Sequence, residues 1–358
     1  MTATATLRTR TGAFLRDHSF ALWVAASVFV FLSVIVFGAM FGPAGPAWWR
    51  VPTELVNRLP IVSAHSGMSS LDWNIVWEIR MPRVVLAALV GGMLSLSGAS
   101  LQGVFRNPLV DPYLLGVAAG AGLGATLVFT INRSGTSSWP IDPLPLAAFA
   151  GGLLAVVATY FLSTGGSNER SGVKLVLAGV AITSLVTAVQ AFVLQRNSDV
   201  VRQVYSWILG RLSTANWSDV RLVLPYVVLS AAVLLLHARL LDVMRIGDDE
   251  ASALGTNVAR VRITVIVAST IGTAAVVAVS GLIGFVGIIV PHVIRLVTGA
   301  SYRRLLPLSF FIGGAFLILC DIPGRILDNP AETPIGVVTA FLGAPFFLLL
   351  LRTRKVPA

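Results

Sequence analysis

"GLIGFVGIIVPHVIRLV", residues Gly281 to Val297, is apolar almost throughout, yet it places Pro291, His292 and Arg295 within five positions. A catalytic pocket, a metal site and the end of a membrane-crossing helix would each accept such a run. The rest of the chain has to choose among them. Upstream, residues 262–280 are just as apolar, and Ser280-Gly281 is the only break between the two runs.

Composition favours the membrane. The chain has 358 residues, 56% of them hydrophobic and 12% charged, with a mean hydropathy of +0.84. A water-soluble domain carries about 25% charged residues, so this chain lacks the polar surface to cover a soluble particle of its size. The formal net charge of +10 is spread as arginines at the ends of apolar runs. That pattern suits lipid headgroups and lacks the basic stripe with interleaved aromatics expected of a nucleic-acid binder. Cys320 is the single cysteine, which excludes an intramolecular disulfide and a thiolate metal cluster. The basic start "MTATATLRTRTGAFLRDHSF" precedes an apolar run, Ser19 to Phe41, that is longer than a signal-peptide core. We read it as a retained first helix behind a cytoplasmic segment, residues 1–18.

A span needs about 20 mainly apolar residues. Ten stretches qualify, at about 19–41, 84–104, 112–131, 144–162, 173–194, 221–241, 262–280, 281–297, 305–323 and 334–351. Glycines recur inside them (Gly91, Gly92, Gly98, Gly103), and such small residues let helices approach closely in lipid. The expectation is an all-α membrane protein in one compact bundle over residues 1–358, without a soluble domain. An even number of spans puts both termini on one side. With that side cytoplasmic, sixteen of the 26 Lys and Arg lie inside and ten outside, a modest positive-inside bias.

Two outer segments, Val51 to Leu59 and Val200 to Leu209, have helical spacing but are too short to cross, and read as surface-lying helices. Ser97-Gly98 precedes Pro108 by the same eleven residues as Ser280-Gly281 precedes Pro291, which hints at two related halves. No G-x-x-x-x-G-K-[ST], H-E-x-x-H or G-x-S-x-G occurs, so the chain carries neither a P-loop nor the common membrane-hydrolase patterns. Asp111, Asp321, Asp328 and Glu332 all lie near span ends or in loops. An ion-coupled secondary transporter, the alternative from another class, keeps ionisable groups at midplane. The energy for transport is therefore expected from a partner.

Five blocks in order, "WEIRMPRVVLAALVGG", "RNPLVDPYLLGVAAGAGLGA", "DDEASALGTNVARVR", "SGLIGFVGIIVPHVIRL" and "TPIGVVTAFLGAPFFLLLLR", resemble the FecCD-type permease subunits of ATP-binding cassette importers for iron-siderophores, haem and cobalamin. The resemblance runs from about Trp77 to the C-terminus. It implies a type II importer permease fold in the cytoplasmic (inner) membrane, a homodimer, two ATPase subunits and an extracytoplasmic substrate-binding protein. It implies no catalysis and no cofactor in this chain, since ATP and Mg belong to the partner ATPase. The cargo it implies is a ferric siderophore, with haem or cobalamin as the alternatives. In such a topology "PHVIRL" is the cytoplasmic end of the eighth span, and His292, without a second His nearby, reads as a packed residue.

Three groups of residues carry candidate roles. Arg80 and Arg83 are three apart, hence on one helix face, with Pro82 in the first turn. They read as headgroup anchors or, with Arg325, as the docking site that the resemblance implies for acidic groups of the binding protein. Asp248, Asp249 and Glu250 open a short segment that Gly255 closes, the marks of a brief helix within the cytoplasmic loop 242–261. The resemblance makes it the coupling helix, with Ala253 and Leu254 entering a groove of the ATPase and Arg245, Arg260 and Arg262 beside it. The third group is the inner turn Asn107-Pro108-Leu109, together with Ser171, Gly172 and Val173. Family members use these positions as an inner gate, and on residue chemistry alone both read equally as turns.

Overall fold

The computed structural model describes residues 3–42, 45–58, 67–132, 142–164, 172–327 and 331–353. They form helices and connecting turns, with no strand among the described residues. α1 (Ala3–Met40) is followed by two short helices, α2 (Arg50–Asn57) and α3 (Ser70–Asn74). A π-helical stretch, Ile75–Arg80, runs directly into α4 (Met81–Phe105). After a 3-10 turn at Pro112–Leu115 come α5 (Val117–Ile131), α6 (Pro143–Thr164), α7 (Gly172–Arg196), the short α8 (Val201–Ile208) and α9 (Trp217–Leu236). The chain then forms α10 (Ala238–Met244), α11 (Asp248–Ala253), α12 (Val258–Ser280), α13 (Val286–Thr298), α14 (Tyr302–Ile326) and α15 (Ile335–Thr353).

Each expected span is largely helical. Among the described residues, seven helices are long and apolar enough to cross a membrane, and three apolar helices, Val117–Ile131, Val286–Thr298 and Ile335–Leu349, are shorter. Helical structure also continues through residues 3–18, ahead of the first expected span. The two surface segments are α2, which buries Val51, and α8, which buries Val204 and Trp207.

Helix ends follow local chemistry. α9 begins in a capping box, with Asn216 accepting from the Asp219 amide and the Asp219 side chain accepting from the Asn216 amide. Asn257 caps α12 by accepting from the Arg260 amide. α4 ends where Arg106 turns left-handed, at φ 50°.

α4 occupies the centre of the bundle and is buried around almost its whole circumference, against α9, α12, α13 and α14. A helix apolar on every side must be enclosed on every side, and the glycines foreseen in this span make that possible. A Cβ on Gly98 would lie 2.6 Å from the Gly287 Cα, so α4 and α13 touch backbone to backbone there.

The two apolar runs part at Ser280-Gly281, as expected, but the second is not helical from its start. Residues 281–285 are not helical, and α13 starts only at Val286. Gly281 takes φ 70°, a left-handed conformation that disfavours a side chain, and α12 ends there. The proposed echo of two halves also fails. Ser97-Gly98 lies in the middle of continuous α4, whereas Ser280-Gly281 is a helix end. Pro108 is in a turn, but Pro291 is inside α13. His292 is 3% exposed, and its ring meets Phe346 edge-on at 5.8 Å between centroids.

The close crossing of α4 and α13 yields a prediction. Gly98→Ala should destabilise the detergent-purified protein by about 1–3 kcal/mol through overpacking. Gly284→Ala, where an added Cβ meets nothing within 4 Å, should be neutral. Thermal unfolding of the two variants side by side checks this, and equal midpoints would contradict the backbone contact.

Candidate functional site

The candidate residues fall at three places, the first being the outer end of α4 and α14. Arg83 donates through Nε and Nη2 to the two oxygens of Asp321, at 2.9 Å each. Its Nη1 reaches Glu332 at 2.7 and 3.0 Å. Arg325, one turn after Asp321 on α14, binds the same carboxylate. Its Nη1 also donates to the carbonyls of Gly38 (3.2 Å) and Phe41 (3.3 Å). Arg80 donates to the carbonyls of Ala39 (3.2 Å) and Met40 (3.0 Å). These four carbonyls are the end of α1, where no intrahelical donor remains and the helix dipole favours a cation.

The three arginines expected as headgroup anchors or docking groups are thus largely enclosed within the protein. Arg80 is 5% exposed and Arg325 1%, and both are committed to the end of α1. The Arg83 side chain is 11% exposed and held by two carboxylates. Charges this enclosed persist because they are paired and hydrogen-bonded.

The inner turn is the second place, and it is built by side chains. Asn107 Oδ1 accepts from the Leu109 amide at 3.0 Å, and Asp111 Oδ1 accepts from the Tyr113 amide at 2.8 Å. Gln102, buried on α4, donates to the carbonyls of Val110 (3.2 Å) and Gly287 (3.0 Å). The Tyr113 hydroxyl donates to the Ile283 carbonyl at 3.0 Å and accepts from the Ile283 amide at 3.1 Å. Two polar side chains thus serve both backbone groups of Ile283 in the break and the Gly287 carbonyl just beyond it. Gly172 lies beside the end of α4, since a Cβ there would lie 3.3 Å from the Phe105 ring. Val173 is exposed, and Ser171 lies outside the described residues. Burial pushes the Asp111 carboxyl up to about 6.

The third place is α11. Leu254 donates its amide to the Glu250 carbonyl, and Thr256 donates to the Ala251 carbonyl. Gly255, at φ 83°, closes the helix. Ala251 is fully buried, whereas Ala253, Asp249 and Glu250 are exposed and Leu254 is 67% exposed. Asp248 pairs with Arg106 at 3.1 Å and Arg262 at 2.9 Å. Arg262, expected beside this segment, is thus paired with it inside the chain. Arg245 faces Asp242 at 3.8 Å.

Sequence reasoning passed over Gln102, Tyr113, Asp321 and Glu332 as partners. A glutamine in an otherwise apolar span was the available signal for Gln102. Nothing local marked the others, whose partners are distant in the chain.

Comparison with known proteins gives a consistent result. A model of the FecCD transport family matches residues 22–353. The cobalamin import system permease protein of Halobacterium salinarum is 38% identical over 353 residues, covering 99% of this chain and 90% of its own. The hemin transport system permease protein of Yersinia pestis is 40% identical over 317 residues, covering 84% and 94%. The ferric enterobactin transport system permease protein of Escherichia coli is 36% identical over 295 residues, covering 82% and 87%. An ABC transporter of the metal-chelate type, solved in an inward-facing conformation, superposes with a TM-score of 0.79 at 28% identity, covering 92% of this chain and 99% of its own.

Two predictions follow from the geometry. Asp321→Asn leaves Arg83 and Arg325 buried without their shared countercharge and should cost about 3–5 kcal/mol. Glu332→Gln, at a side chain 28% exposed, should cost about 0.2–1 kcal/mol. Thermal unfolding in detergent ranks the two, and equal losses would refute the shared carboxylate as the keystone of the cluster.

Asp111 should leave a pH signature. Its folded value lies above the ordinary carboxylate value of 3.8, so the native state holds a proton that the unfolded chain has released. The contribution of this group is most favourable below pH 4 and is lost as pH rises through about 6. Asp111→Asn, which keeps the turn's acceptor oxygen, should flatten that slope. Unfolding midpoints of both proteins between pH 4.5 and 7.5 test it.

Proposed function

The chain belongs to the FecCD transport family and is an ATP-binding cassette importer permease, a multi-pass protein of the cytoplasmic membrane and not an enzyme. From that premise we propose that it moves a ferric siderophore inward by alternating access, as a homodimer bound to two ATPase subunits. Permeases of this family work with ATPase and substrate-binding partners, and ATP and Mg are bound on the ATPase side.

The observation that carries the reading is Leu254, a large apolar side chain 67% exposed at the end of α11. Burying a leucine contributes about 1.5–3 kcal/mol, and a groove on an ATPase supplies that burial. We assign Asp248, Asp249, Glu250, Ala253, Leu254 and Gly255 to this coupling contact. Asp248 then acts as the root, because its bonds to Arg106 and Arg262 tie α11 to the ends of α4 and α12. A displacement of α11 reaches the inner turn directly, since Asn107 follows Arg106 in the chain. Asn107, Pro108, Leu109, Gly172 and Val173, with Ser171, are the proposed inner gate.

The outer cluster is assigned to docking of the substrate-binding protein, through Arg83 before Arg80 or Arg325. An acidic group of the binding protein would take the place of Glu332 on Arg83, the one arginine of the three whose second carboxylate partner is partly exposed.

The cargo reading is supported by several relatives that are permeases for ferric enterobactin, Fe(3+) dicitrate and iron(3+)-hydroxamate. Haem and cobalamin form the second reading, favoured by the 40% and 38% identities of the hemin and cobalamin permeases. Uptake of a ferric siderophore, haem and cobalamin by the reconstituted transporter, each with its binding protein, separates them.

The purified permease should hydrolyse no ATP alone and should capture its ATPase as a two-plus-two complex. Leu254→Asp should abolish capture and uptake while the permease still inserts and dimerises. Ala253→Trp should uncouple hydrolysis from uptake by overpacking the same contact. Full uptake by both variants would reduce α11 to a connector.

A further inference from the structure

A separate cavity of about 230 Å³ opens at the inner end of the bundle, walled by Gln102, Arg106, Asn107, Arg245, Arg295 and Tyr302. Three guanidinium groups line it, and no carboxylate does. Their arrangement is fixed from several directions. Gln102 is 1% exposed and its amide nitrogen is held by two backbone carbonyls, which leaves its Oε1 to accept from Arg295. Arg106 is held by Asp248 at 3.1 Å. Arg245 is exposed, and its 3.8 Å separation from Asp242 exceeds a hydrogen bond.

The nearby carboxylates are already shared. Asp242 accepts from the Ser301 hydroxyl at 2.8 Å and the Tyr302 amide at 2.7 Å. Asp248 divides itself between Arg106 and Arg262. Arg106, Arg262 and Arg245 thus share two carboxylates around this cavity while Arg295 is held by the neutral Gln102, and the imbalance is positive on the cavity side.

We propose that this pocket binds a phosphate group. Guanidinium forks match the oxygens of a tetrahedral oxyanion and bind them bidentately. The site lies where α4 and α13 end and α14 begins, which is headgroup level for helices that cross the membrane. Basic pockets between membrane helices on the cytoplasmic side take anionic lipid headgroups; free phosphate or a soluble polyphosphate presents the same oxygens. Bound there, the anion joins the ends of α4, α10 and α13 to the start of α14. It also shares Arg106 with Asp248, so its occupancy bears on the root of α11.

The test uses the full-length permease in detergent, stripped of lipid, at constant ionic strength. Thermal unfolding is followed against short-chain phosphatidylglycerol, short-chain phosphatidylcholine and inorganic pyrophosphate. Phosphatidylglycerol, pyrophosphate or both should raise the midpoint saturably, with phosphatidylcholine far weaker. Arg245→Gln and Arg295→Gln should each shift half-saturation about tenfold, the loss of one charge-assisted hydrogen bond. Arg295→Lys, which keeps the charge and loses the fork, guards against misfolding of the glutamine variant and should weaken binding less. Arg239→Gln, an exposed arginine outside the pocket, should bind as the parent does. Stabilisation by the lipid alone identifies a headgroup site, and by pyrophosphate alone a soluble-anion site. No saturable shift, or the same half-saturation in the parent and both glutamine variants, overturns the proposal.

Discussion

Backbone at membrane depth has no water to bond with, so every amide and carbonyl that leaves a helix must find a partner within the protein. Residues 281–285 leave the helix between α12 and α13, and the rest of the architecture is arranged to tolerate it. Tyr113 supplies one hydroxyl that serves both the amide and the carbonyl of Ile283. Gln102 supplies a buried amide to Gly287 and Val110 together. One helix break is thereby tied to the inner turn after α4 and to the start of α5. The three segments cannot move independently without exposing a polar group to hydrocarbon. That coupling makes the three segments one rigid unit.

The same accounting explains the outer arginines. α1 ends with carbonyls that no intrahelical donor can reach, and Arg80 and Arg325 supply donors from α4's approach and from α14. Bringing guanidinium groups that deep demands countercharge, and Asp321 provides it to two of the cluster at once. The cluster is thus a joint between three helices. Its margin, where Glu332 is partly exposed, opens more readily than its centre, where opening would strand buried charge.

At the opposite end the charges are looser and more exposed. Asp248 joins a six-residue helix to the ends of two long ones through side chains alone. Exposed ion pairs of this sort are individually weak, so α11 is held less firmly than the core, which the buried bonds of the helix break keep in register.

Much of this protein is legible from residues in order. Low charge and long apolar runs require a helical membrane bundle, because lipid admits few other backbones. Gly98 signals close helix approach, and Gly255 after an acidic start signals a short capped helix, because both effects are local. Ordered sequence blocks identify the family for a related reason: they recur at fixed spacing along one chain. Tertiary structure alone decided what the charged residues do. Arg80 and Arg325 bond to carbonyls about 40 and 290 positions away, and Arg83 finds its acids across a similar distance. Neither hydropathy nor periodicity carries information about such partners. The non-helical course of residues 281–285 after α12 was likewise decided in three dimensions. An apolar run looks the same as helix or as extended chain, and only the side chains waiting to bond the freed backbone select between them.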